Sequence, residues 1–261
     1  MKLEVKGGSF AYGRTPVLED VNLSVRSGEI LCVLGANGAG KTTLMKCLLG
    51  LERWTAGATL IDGEDIRAMK PAALWRRIAY VPQARPSAFA YTAKEMVLLG
   101  RGARLGLLQQ PGPRDEAVAM DCLRAVGVEG LADRLLSRVS GGELQLVLIA
   151  RALAAEPELM ALDEPESHLD FRNRLTVLDT VRRLRDERGL AFVVNTHFPE
   201  HALTLADTAL LLTSDGPRFG PARQTLTEAA LGEAFGVDVR IVTVEAAGEE
   251  HACVLPIGKA R

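Results

Sequence analysis

Long apolar runs are missing from this sequence. The longest, "LVLIA" and "ILCVLGA", fall far short of the ~20 residues that cross a bilayer. The chain is therefore expected to be soluble, and any work at a membrane needs spans from another polypeptide. No apolar signal core stands in the opening "MKLEVKGGSF". An excess of either charge is missing too: 31 Lys and Arg face 33 Asp and Glu, for a formal net charge of -2. That balance lacks both a basic footprint and an acidic tail, and it argues against a nucleic-acid partner. Cysteine is scarce. Cys32, Cys47, Cys122 and Cys253 have no C-x-x-C spacing and no histidine companions, which suits buried apolar thiols in a reducing compartment. Repeats and low-complexity linkers are absent as well.

What is present is enough apolar residue, 48% of 261, for one large α/β domain or a core carrying an inserted subdomain. "LEVKGGSFAY" and "VLEDVNLSV" alternate apolar and polar residues between Gly-rich turns, which predicts strands. "EILCVLG" is continuously apolar, the mark of a strand buried on both faces of a parallel sheet. It leads through a glycine loop into "KTTLMKCLLGL", a helical pattern. "RIAYVPQ" predicts another buried strand, stopped by Pro82, and the pattern then turns helical from about Ala84 to Arg138. After that insertion the α/β rhythm resumes. A helix over Glu143 to Ala155 precedes strand "LMALDE", helix "RNRLTVLDTVRRLRDERG", strand "AFVVNTH", helix "PEHALTLA" and strand "TALLLTSDG". Beyond Pro221, "LTEAALGEAFG" predicts a short helix and "VDVRIVTVEAAGEEHACVLPI" a hairpin. Alternating strands and helices imply a mostly parallel sheet covered on both faces.

The glycine loop carries the densest chemistry. Gly35-x4-Gly40-Lys41-Thr42 is the P-loop pattern, placed after a strand and opening a helix as it must be. Its glycines let backbone N–H groups curl around phosphate oxygens, and Gly38 adds room for close approach. Lys41 brings a point charge to the β and γ phosphates, and the Thr42 hydroxyl is placed to ligate Mg²⁺. "LMALDE" ends in two carboxylates: Asp163 suits the hydration shell of Mg²⁺, and Glu164 suits orienting the attacking water. Two acids after a strand also serve as simple helix caps; beside a P-loop the catalytic reading gains. His197 follows a strand at its C-terminal end, where ligands collect in open α/β sheets, and a neutral imidazole there suits the γ-phosphate. Gln83 offers an amide oxygen to Mg²⁺ or water, against the default of a surface glutamine. Tyr12 offers its ring face to adenine, against the default of an aromatic packed on a sheet.

A second phosphate-facing turn lies about a hundred residues further on, in "VSGGELQLVLIARAL". Ser140 to Glu143 satisfies the S-x-x-E capping box, and a well-capped helix is the plain explanation. Two glycines in a first turn, each ~1 kcal/mol worse than alanine, suggest instead that another group must approach the backbone closely. Free N–H groups and the helix dipole favour a phosphate there. Because the P-loop already cradles its own phosphate, the second turn makes sense facing the nucleotide of an identical subunit.

Taken together these motifs resemble the ATPase subunit of ATP-binding cassette (ABC) transporters, and the resemblance covers essentially the whole chain. Tyr12 matches the family's adenine-stacking aromatic, Gly35, Ala36, Asn37, Gly38, Ala39, Gly40, Lys41, Thr42 and Thr43 its Walker A loop, and Gln83 its Q-loop. Val139 to Glu143 matches the signature motif, Asp163 and Glu164 the Walker B pair, "SHLD" with Asp170 the D-loop, and His197 the switch histidine. The resemblance implies an α/β P-loop NTPase core with an N-terminal antiparallel β subdomain and an inserted α-helical subdomain. In residue numbers the core is expected at 1–83 and 139–220, the helical subdomain at 84–138, and a helix-and-hairpin extension at 221–261. It also implies ATP and Mg²⁺ as cofactors, and an ATP-bound homodimer in which Ser140, Gly141 and Gly142 cap the partner copy's γ-phosphate. Integral membrane permease chains and a periplasmic or extracellular solute-binding protein are implied as partners, with this subunit on the cytoplasmic side of the inner membrane.

"YTAKEMVLLGR", "SHLDFRNRLTVL" and "THFPEHAL" look like ATPases of metal-chelate importers for iron-siderophore, haem and vitamin B12. "QLVLIARAL" and "RFGPARQTLTEAALGEAFGV" look closer to the molybdate/tungstate group within that branch. By this analogy a groove around Gln83 to Arg101 grips a cytoplasmic helix of the permease. Four positions depart from the usual pattern: Val139 for leucine, Glu143 for glutamine, Leu146 for arginine and Glu166 for threonine. Glu143 puts a carboxylate near a shared phosphate unless it turns back to cap its own helix. A soluble assembly or regulatory ABC protein of the iron–sulfur type is the alternative. ATPases of DNA repair need long coiled-coil heptads, which the insertion lacks.

Overall fold

A computed structural model of the chain describes residues 1–84, 90–106, 109–246 and 248–259, so the stretches 85–89 and 107–108 of the expected helical insertion lie outside the described residues. The chain forms two compact units, Met1–Ala68 with Val193–Arg261, and Met69–Phe192.

The first unit opens with β1 (Lys2–Tyr12), β2 (Thr15–Arg26) and β3 (Ile30–Gly35), then α1 (Lys41–Leu48), β4 (Ala56–Ile61) and β5 (Glu64–Asp65). The second carries α2 (Pro71–Arg77), β6 (Ile78–Val81), α3 (Ala93–Leu98), a 3-10 turn at Leu99–Ala103, α4 (Pro113–Ala125), α5 (Gly141–Leu153), β7 (Leu159–Asp163) and α6 (Phe171–Arg188). Strand β8 (Ala191–Asn195) returns the chain to the first unit, which continues with α7 (Pro199–Leu205), β9 (Thr208–Thr213), β10 (Gly216–Pro221), α8 (Ala222–Thr225), α9 (Glu228–Phe235), β11 (Val237–Ala246) and β12 (Glu249–Lys259).

In the first unit β1 and β2 pair antiparallel from Lys2↔Arg26 to Tyr12↔Thr15, and the sheet order is β2-β1-β4-β5. Alternation explains the pairing: Val21, Leu23 and Val25 are buried while Asn22 and Arg26 are exposed. β3 is buried at every residue and pairs in parallel with β9, from Leu31↔Thr208 to Gly35↔Leu212. The Asp207 carboxylate accepts from Ile30 N at 2.8 Å, which pins the start of that ladder. β11 and β12 form the expected hairpin, with β11 packed on α9 and β12 on α7.

In the second unit β6 and β7 pair in parallel from Ile78↔Leu159 to Val81↔Leu162, held at their entry by the Arg77–Glu158 ion pair at 2.6 Å. Helices α3, α4 and α5 pack together. Arg101 is buried among them: its Nε donates to Asp115 Oδ1 at 2.8 Å and its Nη1 to Ala154 O at 2.7 Å. A residue expected at the end of a surface groove is instead a clamp inside the helical cluster. Pattern reading also passed over β4, β5, α2 and β10. All four are short, and Gly57 in β4 and the glycines and prolines of β10 mask period-2 alternation.

Candidate nucleotide site

In the first unit, buried β3 delivers the chain to the glycine loop. Gly40 caps α1 in the left-handed region at φ 93°, and a Cβ there would meet Val17 Cγ1 at 2.9 Å and the Val17 carbonyl at 3.2 Å. Conformation and space both demand glycine. No side chain caps α1 and no acid stands in its first turn, so its leading N–H groups and the positive dipole end suit an anion. Lys41 is only 6% exposed, and its Nζ donates to the carbonyls of Gly35 at 2.7 Å and Ala36 at 3.0 Å. The ammonium is thus folded back over the loop. Asn37, Gly38 and Thr42 are exposed, Ala36 and Ala39 half-buried, and Thr43 buried.

Tyr12 ends β1 before the Gly13 turn. Its ring meets Phe10 edge-on at 4.8 Å and 83°, and the residue is 49% exposed, so a ring face is open to a flat partner. At the end of β8, Thr196 N donates to Val33 O at 3.0 Å, which sets the strand tip beside β3. The next residue, His197, is half-buried with its ring 4.1 Å from that of Phe198.

The second unit holds the carboxylates. Asp163 closes β7 at 8% exposure, and the Tyr80 hydroxyl donates to its Oδ2 at 3.1 Å. Burial, reinforced by the Asp163 charge, pushes the Tyr80 phenol well above its ordinary range, so it stays a donor. Glu164 follows with φ 47°, an uncommon backbone for a non-glycine residue. Its Oε2 accepts from Ser167 Oγ at 2.9 Å while its carbonyl accepts from Ser167 N at 3.1 Å. Gln83 is half-buried just past β6 and Pro82, with the next described residue beyond Ala84 being Ala90.

Ser140 caps α5 as expected. Glu143 N donates to Ser140 Oγ at 3.3 Å, and Ser140 N donates to Glu143 Oε2 at 2.7 Å. Glu143 therefore turns back onto its own helix, and that backbone hydrogen bond holds its carboxyl below the usual range. The two glycines have different surroundings. Gly141 is exposed, with Leu169 Cδ2 the nearest atom to a Cβ at 3.6 Å. At Gly142 a Cβ would fall 2.4 Å from Asn173 Cγ, so the group that approaches closely there belongs to α6 of the same chain. Asn173 is fixed in turn by Asp170, the N-cap of α6: Oδ1 accepts from Asn173 N at 2.8 Å and Oδ2 from Asn173 Nδ2 at 3.2 Å. Glu166, at the position where threonine is usual, is 1% exposed.

The structure thus groups Tyr12, the loop and His197 in the first unit, and Gln83, Ser140 to Glu143, Asp163, Glu164 and Asp170 in the second. Of the residues that touch these groups, Tyr80 and Asn173 carry no role in the sequence reading, and Ser167 enters it only as the first residue of the D-loop match. Each had a faint signal, namely a hydroxyl on the strand beside "LMALDE" and polar residues three places after Glu164 and Asp170.

A glycine loop between a buried strand and an uncapped helix, in a chain that also carries strand-tip carboxylates, defines a P-loop nucleotide-hydrolysing protein of mixed α/β fold. The pattern of the ABC transporter family matches residues 18–167, and the chain belongs to that family as an ATP-hydrolysing transporter subunit. It is 37% identical over 238 residues to the manganese transport system ATP-binding protein MntB of Listeria monocytogenes, covering 90% of this chain and 96% of that one. It is 36% identical over 234 residues to the molybdate import ATP-binding protein MolC of Haemophilus influenzae, covering 89% and 87%. Among solved structures, a chain from an inward-facing transporter described as of metal-chelate type superposes with a TM-score of 0.88 at 32% identity, covering 98% of this chain and 97% of that one. Subunits of this family work with membrane permeases, and no helix among the described residues is long and apolar enough to cross a membrane.

Proposed function

We propose that this chain is the energy-coupling ATPase of a binding-protein-dependent importer for a metal chelate or an oxyanion such as molybdate or tungstate. The observation that supports it most is the near end-to-end similarity to a transporter chain of metal-chelate type. The similarity to a manganese system at 37% identity leaves the solute to its own experiment. The ligand of the solute-binding protein encoded beside this gene, measured by calorimetry, tests the class. A manganese or amino-acid ligand overturns it.

In this reading the N–H groups of Gly38 to Thr42 and the Lys41 ammonium hold the triphosphate, and Tyr12 stacks on adenine. Glu164 orients the attacking water, and His197 steadies the γ-phosphate. Thr42, Asp163 and Gln83 present only oxygen donors, the hard set that suits Mg²⁺. When bound, that ion screens the phosphate charge. Ser140 and the N–H of exposed Gly141 cap the nucleotide of a second copy, with Gly142, Glu143 and Asp170 shaping that face. ATP thereby pairs two subunits, and hydrolysis separates them. The core comprises 1–83 and 139–220, the helical part 84–138 and the extension 221–261. The segment from Gln83 towards Arg101 meets the permease on the cytoplasmic side of the inner membrane. Glu164→Gln is expected to bind ATP and pair while losing at least 100-fold in turnover, read by phosphate release and light scattering. Near wild-type turnover would remove Glu164 from its role.

A further inference from the structure

The turn after β7 has an unusual construction. Glu164 and His168 both occupy the left-handed region, at φ 47° and 61°, although neither is glycine. Such conformations are unfavourable and persist only where surrounding contacts over-determine them. Here the contacts converge on Ser167. Its N–H closes the turn on the Glu164 carbonyl at 3.1 Å, and its hydroxyl donates to Glu164 Oε2 at 2.9 Å. Both neighbours of the turn are anchored. Asp163 is held through Tyr80, and Leu169 is buried with its N–H bonded to Glu166 O at 3.4 Å. Asp170 then starts α6, whose Asn173 is wedged against Gly142. The serine hydroxyl is therefore a donor fixed in space by backbone at both ends.

We infer that Ser167 is a positioning residue: its hydroxyl sets the orientation of the Glu164 carboxylate from which the attacking water is aligned. The inference rests on the reading of Glu164 as the water-orienting group. A glutamate has three side-chain torsions, and each polar contact to its carboxylate narrows the rotamers open to it. The bond from the Ser167 hydroxyl is such a contact, and hydrogen bonds to a carboxylate are worth more than those between neutral groups. The bond orients Glu164 without touching ATP. Its loss should appear in the chemical step and spare nucleotide binding.

The test uses the full chain reconstituted with its permease. Ser167→Ala is expected to lower kcat about tenfold while the KM for ATP stays within about twofold, the size of one charge-assisted hydrogen bond. Ser167→Thr, which keeps the hydroxyl, is expected to restore kcat to within about threefold of wild type. In a Glu164→Gln background, Ser167→Ala should change single-turnover rate and ATP affinity by less than twofold, because the partner charge is gone. An unchanged kcat in Ser167→Ala with Glu164→Gln inactive overturns the role of Ser167 alone. Equal loss in Ser167→Ala and Ser167→Thr, or a loss that persists undiminished in the Glu164→Gln background, makes Ser167 merely structural and also overturns it. An active Glu164→Gln overturns the underlying reading instead.

Discussion

Asn173 and Gly142 show how one atom decides a position. A methyl at residue 142 would lie 2.4 Å from Asn173 Cγ, so either α5 or α6 must shift. Gly142→Ala is expected to cost about 1–3 kcal/mol, as overpacking does, read by urea denaturation. Adding Asn173→Ala should recover part of that loss; a purely additive double variant would place the clash elsewhere. Glu143 makes a prediction in pH. Its carboxyl is held below its ordinary 4.5 by the Ser140 N–H, so the folded value is the lower one. Stability from the cap is then fully present above 4.5 and is lost as pH falls through the folded value. The wild type should exceed Glu143→Gln in stability at pH 7, and the gap should close below 4.5 in denaturation at matched ionic strength. These contacts were only half legible in sequence. S-x-x-E announced the cap because both partners are local, whereas the Gly142 clash joins residues on two helices.

Elements were legible where one period ran unbroken. β3 and β7 are buried at every residue and stood out as continuous apolar runs, and α6 stood out by length. The helical cluster is held differently. Arg101 reaches Asp115 and the carbonyl at the end of α5, joining three elements through one buried cation. Removing one member of such a pair leaves the other uncompensated. Arg101→Leu should therefore lower the melting temperature more than Arg124→Leu, which breaks an ion pair with Asp121 that is exposed on both sides. Equal melting temperatures in scanning calorimetry would deny Arg101 its clamping role. The period of "AKEMVLLGR" pointed to a helix, but only contact with Asp115 explains why an arginine ends it.

At the scale of the whole molecule, the motif set is divided between two units of one chain. The proposed pairing divides it again between two chains, and mixing tests this directly. Lys41→Ala and Ser140→Arg should each abolish turnover. A mixture should regain up to about a quarter of wild-type activity, since half of random dimers are mixed and each keeps one intact composite site. Absence of any recovery, with both variants folded by circular dichroism, would sink the two-copy arrangement.

Sequence alone determined the family, the reaction class and the order of the phosphate-binding motifs. These depend on residues close together along the chain, where backbone geometry and spacing decide the chemistry. It also determined each long strand and helix, because burial imposes a local period. Only the tertiary structure decided that Gly142 makes room for Asn173, that Tyr80 holds Asp163 and that Ser167 holds Glu164. These are questions of which hydroxyl or amide arrives within about 3 Å of a given atom. Hydrogen bonds and steric contacts fall off within a fraction of an ångström, and no periodicity in a chain encodes distances that fine.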